Sequence, residues 1–161
     1  MRPYVERIRV EGVIEASVER AWAFRLDPAA QVAAYSHRLE VTPIGGTMGE
    51  VGSVVRYVSV LESGETATAT STVTAIDPPR RAVLDGQTFE APDVRTTSTF
   101  EFEVAGDATR ISVTLEFHVD RTNWLQRFAL RRTRAMRRME GERLFAFELA
   151  EENTYHRAHP A

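Results

Sequence analysis

Between Asn123 and Asn153 the chain has no proline and a single glycine, Gly141. Read as one helix at about 1.5 Å per residue, the run extends roughly 45 Å, so a second layer has to lie along it. A 3.6-residue period places Leu125, Phe128, Met136, Met139, Ala146, Phe147 and Ala150 on one face, which is expected to be buried. Arg132 and Arg143 fall inside that stripe. Arginine is rarely buried without polar company, so the helix should cover either acidic partners or a space that admits polar groups.

The sequence before the helix supplies the other layer. Tyr4 to Glu15 alternates, with Ile8, Val10, Gly12 and Ile14 on one side and charged residues on the other, the pattern of a half-buried strand. Ser17 is an N-cap for a helix over Val18–Leu26, and Asp27-Pro28 opens a second short helix toward Tyr35. Arg38–Ile44 reads as a strand. The glycine-rich run 45–52 leads into another strand, whereas a phosphate cradle needs a helix N-terminus there; it reads as a loop. Gly52–Glu62 and Glu65–Asp77 flank Ser63-Gly64, and pairing Glu62 with Glu65 points Arg56 inward beside Ala67, Ala69 and Ser71. Arg81–Asp85 is a short strand. Around Gly106-Asp107, pairing Ala105 with Ala108 aligns Phe102/Ile111, Phe100/Val113, Ser98/Leu115 and Thr96/Phe117 on one face of a hairpin. One apolar sheet face and one long amphipathic helix are the large complementary surfaces, so the helix is expected across the sheet. The expectation is one α+β domain over residues 1–161: about seven curved antiparallel strands, two short helices after the first strand and a long C-terminal helix.

The stretches VEGVIEASVERAWAFRLDP (Val10–Pro28), TVTAIDPPRRAVLDG (Thr72–Gly86) and STFEFEVAGDATRISVTLEF (Ser98–Phe117) resemble the SRPBCC superfamily. That group includes START domains, birch-pollen-type allergens and polyketide cyclase/dehydrase-like proteins. The resemblance implies a helix-grip fold with an internal cavity between sheet and helix. It implies no particular reaction, because the superfamily spans carriers, binders and cyclases.

Composition narrows the chemistry. Without cysteine or lysine, thiolate nucleophiles, cysteine metal sites, Schiff bases and a Walker lysine are excluded. The four histidines show no metal spacing; neither metal nor cofactor is expected, and His37 is the one candidate imidazole base. A net charge of −3 argues against nucleic acid as a partner, and no apolar run is long enough for integral membrane contact. A cytoplasmic location is expected, with a homodimer among the assemblies considered. Candidate ligand contacts are Tyr35, Arg56, Ser71, Thr96, Ser98, Phe100, Phe117, Phe128, Arg132, Met136 and Met139, with Arg143 as a further guanidinium. The first functional expectation is binding or transport of a small hydrophobic or amphipathic ligand, anionic or carbonyl-bearing. The alternatives are a polyketide cyclase/aromatase-like enzyme and an interaction module using the basic face Arg127, Arg131, Arg134 and Arg138, against an acidic partner or an anionic membrane.

Overall fold

The computed structural model describes residues 2–161. Strand β1 (Arg2–Ile14) is followed by helices α1 (Val18–Arg25) and α2 (Pro28–Ala34). Six strands come next: β2 (Arg38–Gly45), β3 (Val54–Val60), β4 (Thr66–Asp77), β5 (Arg81–Thr88), β6 (Val94–Ala105) and β7 (Ala108–Thr122). Helices α3 (Trp124–Arg132) and α4 (Arg134–Ala158) close the chain. The strands form one antiparallel sheet in the order β1-β7-β6-β5-β4-β3-β2, with α4 across its concave face in the helix-grip arrangement.

Local chemistry sets these boundaries. The Ser17 side chain accepts from the Arg20 amide and starts α1; Asp27 accepts from the Ala29 amide, with Pro28 in the first turn, and starts α2. The β6–β7 register pairs Phe102 with Ile111 and Phe100 with Val113, because Gly106 at φ 66° allows a two-residue turn. The main core joins Ile8, Val10 and Ile14 of β1, Val18 and Ala21 of α1, Phe102 of β6 and Ile111 and Val113 of β7, with Phe145 and Leu149 of α4 packed onto it. Full burial of side chains such as Ile14 and Ile111 contributes about 1.5–3 kcal/mol each.

Three expectations are corrected. First, the terminal helix is interrupted at Thr133, whose hydroxyl bonds back to the Ala129 carbonyl at 3.0 Å. Such back-bonding bends helices. Second, the stripe Leu125, Phe128, Met136, Met139 and Phe147 lies on the exposed face. Toward the sheet the helix instead turns Arg137, Gly141, Phe145, Glu148, Leu149, Glu152 and His156, spaced three and four apart and rotated half a turn from the apolar stripe. Third, β3 and β4 pair one residue away from the expected register, Arg56 opposite Thr70 and Tyr57 opposite Ala69. The connection runs over residues 61–65 and not through a two-residue turn, and the slip exchanges the two faces of β3 while β4 keeps Ser71 inward.

Candidate functional site

Under α4 the sheet does not fill its own concavity. Positions 71, 82 and 98 are Ser, Ala and Ser, so short side chains leave a cavity of about 190 Å³ there. Its walls come from α1 (Trp22, Arg25), α2 (Gln31), the sheet (Tyr57, Ser71, Leu84, Ser98, Phe100) and α4 (Glu148), with Tyr35 and Arg38 at the junction of α2 and β2. The volume is of the order that encloses a single aromatic ring.

Two guanidiniums dominate its electrostatics. Arg25, at the end of α1, is 10% exposed by side chain, and its Nη2 lies 2.5 Å from Oε2 of the fully buried Glu152. Arg38 is 17% exposed, sits over the Tyr57 ring at 4.5 Å and reaches Glu148 at 3.6 Å. His37 Nε2 approaches the same Glu148 oxygen at 3.0 Å. Both arginines keep a buried Nε–H that meets no acceptor among the described residues. A buried donor left so is costly, on the order of 1–3 kcal/mol.

Burial and the neighbouring charges bear on the titratable walls. Burial pushes the Tyr35 phenol far up, with Arg25 opposing less strongly, so Tyr35 stays protonated and donates toward Glu152 at 3.5 Å. Burial likewise raises Tyr57. At Glu148 burial is the largest influence and opposes the charge. The hydrogen bond from His37 and the charges of Arg25 and Arg38 together outweigh it, holding the carboxyl below its ordinary value. Burial also works against the charge on Arg25, yet the combined fields of Tyr35, Glu152 and Glu148 raise it above the usual arginine value. By contact, Arg25 meets Glu152 and Arg38 meets Glu148.

Of the residues expected from sequence, the structure brings Tyr35, Ser71, Ser98 and Phe100 together on this wall. Thr96 lies farther along the same face, over Gly86, where an added Cβ would come within 2.6 Å of Thr96 Oγ1. Phe117 packs against the main core. The inward placement of five others is corrected. Arg56 bonds Glu40 at 3.2 Å on the outer face, because the register slip turned it over. Arg132, Phe128, Met136 and Met139 point away from the sheet, because the helix meets it with the opposite side. Arg143, also outside, pairs with Glu62. Arg25, Arg38, Tyr57 and Glu148 were not expected. The available signal was the i, i+4 series Glu148–Glu152–His156 in phase with Phe145 and Gly141, a polar row that resembles a solvated face unless its Arg25 partner is known.

Among the described residues no group of His, Asp and Glu is placed to hold a metal ion, and no helix is long and apolar enough to cross a membrane. A sequence profile of the family described as polyketide cyclase / dehydrase and lipid transport matches residues 6–146. No protein of curated function matches. Similar solved structures include protein Ms6760 from Mycobacterium smegmatis, 18% identical over 94% of this chain and 91% of that one, with a TM-score of 0.69. The structure of Ara h 8.0201 is 13% identical over 94% and 98%, with a TM-score of 0.67. Major latex-like protein 151 from Panax ginseng is 13% identical over 74% and 81%, with a TM-score of 0.64. At these identities the likeness establishes the fold alone.

Proposed function

The chain belongs to the polyketide cyclase / dehydrase and lipid transport family, and from that premise we propose that it binds a small, compact, carbonyl-bearing aromatic or alicyclic molecule between sheet and helix. The observation that carries the reading is that Arg25 and Arg38, each with a buried Nε–H that meets no acceptor among the described residues, line a cavity shared by the rings of Trp22, Phe100 and Tyr57 and the polar side chains of Gln31, Ser71 and Ser98. An apolar enclosure with a few convergent donors orients a ligand through its acceptor oxygens. Charge balance supports a neutral acceptor over a carboxylate, because Glu148 and Glu152 already neutralise both arginines. A volume near 190 Å³ favours one or two rings over a long acyl chain.

The two cavity-wall groups Glu148 and Tyr35 favour binding over cyclase-type catalysis. Glu148 is held ionised and Tyr35 is held protonated, whereas a general acid or base works best with a pKa near the working pH. Native mass spectrometry of protein purified without organic solvent tests the reading. A copurified neutral molecule of one or two rings, retained by wild type and lost from Arg38→Gln, is expected. A retained fatty acid, or retention unchanged by that substitution, would contradict it.

A further inference from the structure

Helix α3 presents a different problem, independent of the cavity. It is nine residues long, is closed at its start by a reciprocal bond pair between Asn123 and Gln126, and has no buried residue. So short a helix is marginal in water by itself, and helices ordinarily gain their stability from a covered apolar face. The apolar face of α3 is present but turned to solvent: Trp124 is 79% exposed, Leu125 59% and Phe128 59%. On α4, Met136 (50%) and Met139 (61%) continue the stripe. This is the amphipathic signal that dominates the C-terminal sequence, and it stays at least half exposed.

Charge indicates what meets it. From Arg121 to Arg138 there are seven arginines and no acidic residue. Arg137 is committed to Glu6, Arg138 to Glu142, and Arg127 to the Pro3 carbonyl. Among the described residues Arg121, Arg131, Arg132 and Arg134 have no acidic partner, and the last three are exposed in the same stretch of chain, just after Trp124, Leu125 and Phe128. A tryptophan and a phenylalanine beside unpaired arginines match a phosphate-rich boundary, where the rings settle at headgroup level and the guanidiniums reach the phosphates. A second copy seated α3 to α3 would instead set two such basic clusters against each other.

We propose that α3 docks the protein onto the surface of an anionic membrane, lying in the interface without crossing it. Each basic residue near such a surface is worth about fivefold in partitioning, so three unpaired arginines supply roughly a hundredfold before any apolar insertion.

Vesicle flotation tests this. Full-length protein should float with phosphatidylcholine vesicles containing roughly one-third phosphatidylglycerol at about 0.1 M salt, and stay behind with pure phosphatidylcholine. Binding should fall more than about tenfold in Trp124→Ser/Phe128→Ser and in Arg131→Gln/Arg132→Gln/Arg134→Gln. All five positions are exposed, so unchanged circular dichroism and melting are expected. Failure to float with the anionic vesicles would overturn the proposal, as would equal flotation by wild type and both variants. So would light scattering that shows a wild-type dimer dispersed by Trp124→Ser/Phe128→Ser, since a second copy would then be what covers the stripe.

Discussion

Replacing Arg25 by Met removes the cation that compensates Glu152 and leaves a carboxylate with no solvent exposure. What remains near it is the Tyr35 hydroxyl at 3.5 Å and His156 Nε2 at 3.6 Å, both too distant to substitute for a guanidinium. Breaking a buried pair from one side costs about 3–5 kcal/mol. In a chain of this size each kcal/mol moves the melting temperature by roughly 2–4 °C, so Arg25→Met should melt about 6–20 °C below wild type. The double variant Arg25→Met/Glu152→Met removes the stranded charge as well and fills the space with apolar atoms; it should recover to within about 1–2 kcal/mol of wild type. Urea unfolding followed by circular dichroism at pH 7, on wild type, both single variants and the double, gives the coupling free energy directly. The expected coupling is at least about 2 kcal/mol. Additive losses would refute the reasoning, because they would mean that Glu152 does not depend on Arg25 for its compensation.

Two more outcomes follow from the same geometry. Glu148 has a folded pKa below its unfolded value, so its stabilising contribution is complete above the unfolded carboxylate range near pH 4.3 and is lost as pH falls through the lower folded value. Glu148→Gln should therefore flatten the acid limb of a stability–pH curve below about pH 4; an unaltered limb would count against that assignment. Gly46 sits at φ 69°, where an added Cβ would fall 2.5 Å from the Gly52 carbonyl oxygen and 2.8 Å from Ser53 Cα. These are backbone atoms that cannot swing aside, so Gly46→Ala should destabilise by about 1–3 kcal/mol in thermal unfolding, and a neutral result would mean the loop can reorganise.

The legible parts of the sequence were those where a single local rule decides. Ser17 and Asp27-Pro28 set the two short helices, and Gly106-Asp107 set the β6–β7 register, because a cap or a two-residue turn fixes geometry within a few residues. Ser63-Gly64 resembled the same turn, but the chain closes over residues 61–65. The one-residue difference sent Arg56 outward and brought Tyr57 into the cavity. In the terminal helix the apolar periodicity was real and its destination was not local information. The face toward the sheet carries Glu148, Glu152 and His156, which are compatible with burial only because Arg25, Arg38 and Tyr35 arrive from residues more than a hundred positions earlier. Tyr35, Ser71, Ser98 and Phe100 could be placed by strand parity and helix ends, whereas the arginines of the site could not.

The claim that the two buried guanidiniums receive a ligand oxygen can be measured at the atoms concerned. In 15N-labelled protein, the Nε–H resonances of Arg25 and Arg38 can be followed while a one-ring aromatic ketone and the matching carboxylate are titrated separately. The account predicts saturable shifts at both Nε–H groups and at the Trp22 indole, with the ketone binding more tightly than the acid. Shifts that leave both guanidiniums untouched while other surfaces respond, or tighter binding of the carboxylate, would contradict it.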